Sequence, residues 1–534
     1  MLGARLHTTV RPLSRSRRKA TAFFATALAA SMVALLLATA LEAGTIRDPS
    51  GRSAPSPFPV STPEEQGMDS TLLAGAIDYL LSQRDLYNIN SLTVIRHGRV
   101  VTDAYFYPYP PSELHDLASV SKVWLSTVVG IAIDQGYIAS VNEPVISFFP
   151  DRTIANLDDR KRAMTIRHLL TMTSGLGDDD TIDGDAMEAS ADWAQFAIDL
   201  PMSAWPGTRW NYHQPTAYLL SAIVSERTGM NVWAFARKNL FRPLGIDESV
   251  WTANAQGVTR ATEELKLTPT DLARFAQMIL QNGIWNGEQI VPASWIGTAT
   301  RPLIDDFYGY FWDARYPDFI YGGGALGQRM IISRDRDMVV VFTAHGYVYS
   351  DVETTYLGAL RDYIFPAVKS DEPLPADPTG DAQLADAIER AAAPRHEPQP
   401  VEPLPAMASE ISGQTYRLVV PDGSMSMRLT FLSGTEARLL VIATDELIKG
   451  SPFEWAAGLD GVERLSQGRY HIAAAGTGGW TDDRTFVMNV YGMGDRVDLR
   501  LTFVFDGNDV TVTIEDTYPF DTDDPLVFAG TRED

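Results

Sequence analysis

The sequence predicts an α+β fold, an antiparallel sheet flanked by helices with a helical lobe, followed by a separate all-β domain. Strand patterns stand at both ends of residues 61–367 with helical periodicity between them, which is the order a sheet beside a helical lobe requires. A proline-rich stretch, 369–405, contains eight prolines and loses apolar periodicity except for a short helical run at 381–393. Beyond it, 406–534 reads as alternating strands of a β-barrel or sandwich. At 534 residues the chain is longer than one core uses, so more than one domain is expected.

The elements follow in order. Residues 44–59, rich in Pro, Ser and Arg, form a spacer. Asp69 or Ser70 caps a helix in which Leu72, Leu73, Ile77, Leu80 and Leu81 share one face. Two strands, 91–95 and 99–107, turn at Gly98. Helices fill 120–283, punctuated at Pro144, Gly175, Pro201, Pro206-Gly207, Gly229 and Pro243. Strands return at 329–333 and 338–343 around the turn 334–337. In the last domain they fall at 427–431, 437–442, 485–490, 499–505 and 510–514, the final pair turning at Asp506-Gly507-Asn508.

Charge and composition restrict the partners. A net charge of −24, with six basic and no acidic residues in the first 41, leaves the remainder near −30. That field excludes nucleic acid as a natural partner and disfavours polyanionic substrates. With no cysteine, thiol catalysis, disulfides and thiolate metal sites are excluded together. Arg15, Arg17, Arg18 and Lys19 precede 22 uncharged residues, Ala20 to Leu41, then small residues near Ala43. Residues 1–43 therefore read as an export signal of a periplasmic or secreted protein; the alternative is an uncleaved anchor at 20–41, the only membrane contact expected.

The chemistry begins at Ser119-Val120-Ser121-Lys122, which opens an apolar helix ending at Gly136. Three residues are one helical turn, an axial offset of about 4.5 Å, so a lysine amine can reach a serine hydroxyl. A serine there also lies beside free backbone N–H groups that favour developing negative charge. Alone, the pattern is common at surface helix starts.

Two later stretches give it context: Pro206-Gly207-Thr208-Arg209-Trp210-Asn211-Tyr212-His213-Gln214, entering an apolar helix, and Tyr321-Gly322-Gly323-Gly324-Ala325-Leu326-Gly327-Gln328 before a strand. With Ser119 these resemble, in order and spacing, the three motifs of serine β-lactamases, D,D-peptidases and related esterases. The resemblance implies a β-lactamase/transpeptidase-like fold, Ser119 as nucleophile, Lys122 and Tyr212 as proton carriers, and backbone N–H groups of Ser119 and Ala325 as the oxyanion hole. It also implies Gly323, Gly324, Gln214 and Gln328 as substrate-binding positions. Glu65-Gln66-Gly67-Met68-Asp69, Thr165-Ile166-Arg167-His168-Leu169-Leu170-Thr171-Met172-Thr173-Ser174-Gly175 and Tyr308-Gly309-Tyr310 look like the aminohexanoate-dimer (nylon-oligomer) hydrolase branch.

Two departures matter. Gln214 stands where lactamases carry asparagine, and Gly322 stands where they carry a basic residue that anchors a substrate carboxylate. Esters or amides of small molecules are therefore the expected substrates, with cell-wall-like D,D-peptide or β-lactam substrates and a catalytically idle binding protein as alternatives.

The remaining candidates have plainer readings. His213 is expected to line the pocket or surface, and His168 to be a satisfied core histidine. Asp178-Asp179-Asp180 with Asp183 and Asp185 is expected as a solvated loop, with an amine-recognising rim as the sharper alternative. Gly476-Thr477-Gly478-Gly479 reads as a strand-connecting turn. Gly-x-Ser-x-Gly, His-Glu-x-x-His and phosphate-loop motifs do not occur, so neither metal nor cofactor is expected.

Overall fold

In the computed structural model the described residues are 58–83, 89–345, 349–420, 423–443, 453–466, 474–492, 498–517 and 524–533. The expected export segment, 1–43, lies outside them; among the described residues no helix is long and apolar enough to cross a membrane. The described chain divides into two units, with the boundary between Glu397 and Pro398.

The first unit is built on six antiparallel strands: β1 (Ile89–Arg96), β2 (Arg99–Tyr105), β3 (Asp313–Tyr316), β4 (Phe319–Gly323), β5 (Arg329–Ser333) and β6 (Met338–Ala344). Their order is β2-β1-β6-β5-β4-β3, so the earliest and latest strands lie side by side at the centre. The register runs from Ile89 opposite Ala344 to Arg96 opposite Met338. β6 is buried along its whole length, as a Met-Val-Val-Val-Phe run covered on both faces must be. Val339 and Val341 enter the core beneath the helical lobe, and Val340 and Phe342 the core beneath the terminal helices. Each such side chain contributes about 1.5–3 kcal/mol by burial.

Local signals explain the helices. In α1 (Ser70–Ser82) the Asp69 carboxylate accepts from Leu72 N–H at 3.1 Å, and Leu73, Ile77 and Leu80 are buried. α2 (Ser121–Asp134) is buried on every side over most of its length, its Trp124 stacked on Phe275 at 3.8 Å and edge-on to Phe241 at 5.4 Å. α3 (Asp180–Glu188) is capped by Asp179. α4 (Gln214–Thr228) starts with a proline in its first turn and stops at Gly229, which takes φ 67°. Thr268 caps α5 (Pro269–Leu280), accepting from Asp271 N–H at 3.1 Å.

The stretch expected as a linker is divided. Residues 378–392 form α6 (Pro378–Ala392), whose Leu384, Ala387 and Ala391 lie on one face and enter the core beside α1. Arg390 of α6 meets Asp78 of α1 at 2.6 Å.

The second unit holds, among the described residues, ten strands: β7 (Thr415–Val420), β8 (Gly423–Ser433), β9 (Glu436–Ala443), β10 (Phe453–Gly458), β11 (Arg464–Ser466), β12 (Ala474–Trp480), β13 (Thr485–Gly492), β14 (Asp498–Asp506), β15 (Asp509–Asp516) and β16 (Leu526–Arg532). Their order is β10-β9-β8-β7-β16-β15-β14-β13-β12-β11, and a parallel pairing of Gly458 with Thr477 closes the barrel. Here one expectation is corrected: 476–479 is strand, not turn. A Cβ on Gly476 would stand 2.4 Å from Ala456 O, and one on Gly478 would stand 2.8 Å from the Phe486 ring, so these glycines permit close strand approach. Side chains including Tyr416, Leu429, Trp455, Phe486, Phe503 and Phe505 fill the interior.

Arg96 ties both ends of the first unit to the sheet. Its wholly buried guanidinium donates to Gln66 O at 2.7 Å, Ser370 O at 2.7 Å and Arg336 O at 3.2 Å, and meets Asp371 at 2.9 Å. Arg96→Met keeps the apolar stem but strands these carbonyls. A loss of about 1–3 kcal/mol is expected, read as a lower urea midpoint for unfolding of the first unit.

Candidate active site

Ser119 lies in the turn Ala118–Val120 that feeds α2. The turn is held from both sides: Ala118, at φ 46°, donates its N–H to Asp116 Oδ1 at 2.8 Å, and Leu117 N–H reaches Leu265 O at 2.8 Å. Lys122, one turn on, is 1% exposed. Its Nζ donates to Ser119 Oγ at 3.0 Å and to the Thr262 carbonyl at 2.8 Å. No carboxylate among the described residues lies within ion-pair distance of it.

Tyr212 arrives from the loop before α4. Asn211 N–H bonds Met172 O and Gly207 N–H bonds Thr173 O, each at 2.8 Å, so the 171–175 segment serves as a shelf for the tyrosine loop. The Tyr212 hydroxyl then lies 2.6 Å from Ser119 Oγ, and Lys122 Nζ lies 5.0 Å from the centre of its ring. The hydroxyl, phenol and amine picked out in the sequence therefore meet.

The glycine-rich stretch meets them from the end of β4. β4 ends at Gly323, and a Cβ on Gly324 would lie 2.5 Å from Leu117 O and 3.2 Å from Ala118 Cβ. Only glycine lets this strand end pack on the serine turn. Ala325 follows, beginning a tight turn in which Leu326 takes φ 61° and Gly327 φ 102°. At Gly322 a Cβ would touch Val120, Val123 and Met330 at 3.4–3.5 Å, an apolar surrounding.

Other candidates have structural partners. Gln328 is buried, and its amide nitrogen donates to Ala344 O. Gln214 begins α4, its N–H bonded to Asp180 Oδ1. His213, 1% exposed, has Nε2 3.0 Å from Asp183 Oδ2 and Nδ1 3.0 Å from Thr216 Oγ1. His168 Nδ1 accepts from Thr165 N–H at 3.1 Å, completing a capping box.

The acidic run is engaged more than a solvated loop would be. Asp178 pairs with Arg209, Asp179 caps α3, Asp180 holds Gln214 N–H, and Asp183 holds His213. Burial pushes the Asp180 carboxyl above its ordinary value, opposed by the Gln214 N–H and by nearby His213 and Lys122. Sequence reasoning missed Thr262, Asp116 and the bracing role of α3. Asp116 lies three residues before the serine, but Thr262 reaches Lys122 only because strand Leu265–Leu267 pairs with His115 and Asp116.

The sequence profile described as Beta-lactamase matches residues 89–362, just over half of the chain. The chain belongs to the Beta-lactamase family. Among curated relatives, 6-aminohexanoate-dimer hydrolase of Paenarthrobacter ureafaciens is 24% identical over 253 residues, 44% of this chain and 63% of that protein. Esterase EstB of Burkholderia gladioli is 26% identical over 209 residues, 34% of this chain and 53% of that protein. The chain thus spans less than two thirds of the length of these relatives. The solved structure of a putative 6-aminohexanoate-dimer hydrolase from Bacillus anthracis superposes with a TM-score of 0.50 at 17% identity, covering 59% of this chain and 88% of that one. The first unit accordingly has the β-lactamase/transpeptidase-like fold, in a family of hydrolases whose matched members include proteins named for esterase and aminohexanoate-dimer hydrolase activity.

Because Asp180 and Asp183 hold the two residues after Tyr212, freeing one of them should misplace the phenol. Asp183→Ala is expected to slow labelling of Ser119 by a fluorophosphonate about 10- to 100-fold, the scale of a misplacement near 1 Å, without changing the endpoint. Stopped labelling resolved by mass spectrometry checks this; an unchanged rate would show that α3 does not position the tyrosine.

Proposed function

We propose that this protein is an exported serine hydrolase that cleaves ester or amide bonds of a small substrate through an acyl-enzyme on Ser119. The observation that carries the reading is the convergence of Tyr212 OH at 2.6 Å and Lys122 Nζ at 3.0 Å on Ser119 Oγ. A serine hydroxyl is a weak nucleophile at neutral pH, and positioned groups that accept its proton are worth about 10²–10⁴ in rate.

In this mechanism Oγ attacks the substrate carbonyl carbon while its proton passes to the Tyr212–Lys122 pair. The carbonyl oxygen, now anionic, is held by the N–H groups of Ser119 and Ala325. Collapse of the tetrahedral species expels the alcohol or amine, which takes the proton from the same pair. Water then attacks the acyl carbon, gives a proton to the pair, and the acid leaves as Oγ recovers its hydrogen. The Thr262 carbonyl fixes Lys122 Nζ against Oγ throughout.

The reading of the substrate class rests on Gly322. Val120, Val123 and Met330, all buried in the core, surround the place where a side chain would project, so this position supplies no cation to a substrate. Substrates without a carboxylate at that point suit it better than β-lactams or D,D-peptides. The basic and apolar N-terminal stretch supports action outside the cytoplasm, with residues 1–43 as the export segment.

Hydrolysis of p-nitrophenyl esters is expected, with weak or no turnover of a chromogenic cephalosporin or of D-Ala-D-Ala peptides. Preference for the last two would replace the esterase reading with the cell-wall one, and silence towards every substrate and a fluorophosphonate would leave a binding protein. Ser119→Ala should abolish turnover and labelling. Lys122→Met and Tyr212→Phe should each lower kcat by about 10²–10⁴ with smaller changes in KM. Ester turnover by Ser119→Ala at the wild-type rate would remove the nucleophile assignment.

A further inference from the structure

Arg329 begins β5 on the strand that follows the glycine-rich turn, and its side chain is buried, with the residue 3% exposed. One guanidinium nitrogen donates to Gly324 O at 2.6 Å and to Gln328 O at 2.8 Å. Gln328 O also accepts from Gly324 N–H at 2.9 Å, so the cation closes the turn across its base. On the far side the guanidinium lies 5.8 Å from the centre of the Tyr356 ring.

From this geometry we infer that Arg329 is a positioning and polarising residue for the oxyanion hole, acting through the Gly324–Ala325 peptide. The inference rests on the proposed acyl-transfer reaction and adds a residue to it. A trans peptide directs its C=O and N–H in opposite directions. A cation bound to Gly324 O therefore sits at the negative end of the dipole whose positive end is Ala325 N–H, the group offered to the developing oxyanion. Hydrogen bonding at the carbonyl makes that N–H a stronger donor, and a full positive charge does so more than a neutral donor. The turn needs such a brace, because Leu326 holds a left-handed conformation that a branched side chain rarely adopts. Preorganised donors of this kind act on the transition state and leave ground-state binding nearly unchanged.

The test compares wild type with Arg329→Lys, Arg329→Gln and Arg329→Met in ester turnover and in affinity for an alkyl boronic acid, whose serine adduct is tetrahedral and anionic. In Arg329→Gln and Arg329→Met, kcat/KM and boronate affinity are expected to fall together by about tenfold, with KM within twofold; Arg329→Lys, which keeps the charge but not the planar fork that spans both carbonyls, should lose about three- to fivefold in each. Folding is checked by thermal melting, and if the neutral variants do not fold, the same comparison on Arg329→Lys decides. Boronate affinity within twofold of wild type in a folded variant overturns the inference, as does a loss of kcat/KM that boronate affinity does not follow. Endpoint labelling of Ser119 by a fluorophosphonate separates the two levels. Labelled variants with unaltered boronate affinity overturn the role of Arg329 alone, whereas an unlabelled wild type overturns the proposed reaction and this inference with it.

Discussion

Ser119 and Lys122 touch across one local turn, but they can also meet Tyr212 and the Thr262 carbonyl only if the helix that Ser119 leads into cannot rotate or slide. In α2 that constraint is met by burial on almost every side. Trp124 stacks on Phe275 and meets Phe241 edge-on, and Gly130 leaves room for Trp295, where an added Cβ would stand 2.6 Å from the indole ring. A close-packed interior resists shifts of even one methylene, so the position of Ser119 and Lys122 is inherited from the core rather than from surface contacts. Everything else in the site is then brought to this fixed point. The tyrosine comes on the loop before α4, the Thr262 carbonyl comes through a short strand paired with His115 and Asp116, and the Gly324–Ala325 peptide comes from the end of β4.

The chain is strongly acidic, yet Lys122 meets a hydroxyl and a carbonyl rather than a carboxylate. In the proposed reaction these two acceptors orient the amine against the Ser119 hydroxyl. The nearby acids are occupied elsewhere. Asp180 and Asp183 bond the backbone and side chain that follow Tyr212, and Arg260 meets Glu188, Glu263 and Glu264 at 2.7–3.2 Å. Negative charge close to the site thus serves to position its loops.

What could be read from the sequence was local. The Ser119–Lys122 spacing, the Asp69 cap and the 334–337 turn before β6 are set by neighbours within a turn or a pleat, and each recurs in the structure. The tyrosine and glycine-rich stretches were legible only through family likeness, since no spacing rule says that residues 93 positions apart will touch. Contacts made by backbone atoms left no trace at all: Thr262 contributes a carbonyl, which any residue could supply, and its place depends on strand pairing. The barrel was legible in class but not in detail. Gly476 and Gly478 carry the composition of a turn, and tertiary closeness to Ala456 and Phe486 turns that same absence of side chains into a requirement of a strand.

Two non-glycine residues with left-handed backbones flank the two N–H groups assigned to the oxyanion in the proposed reaction: Ala118 at φ 46° precedes Ser119, and Leu326 at φ 61° follows Ala325. Each such residue costs on the order of 1 kcal/mol and persists only where its surroundings over-determine it. Both have identifiable restraints, Asp116 on the Ala118 N–H and Arg329 across the base of the 324–328 turn. The two restraints act from opposite sides of the site and through different chemistry, one a carboxylate accepting from an N–H, the other a cation donating to carbonyls. In the proposed reaction both peptides serve as donors, and the strain at Ala118 and Leu326 is then the structural cost of fixing them before any substrate is bound.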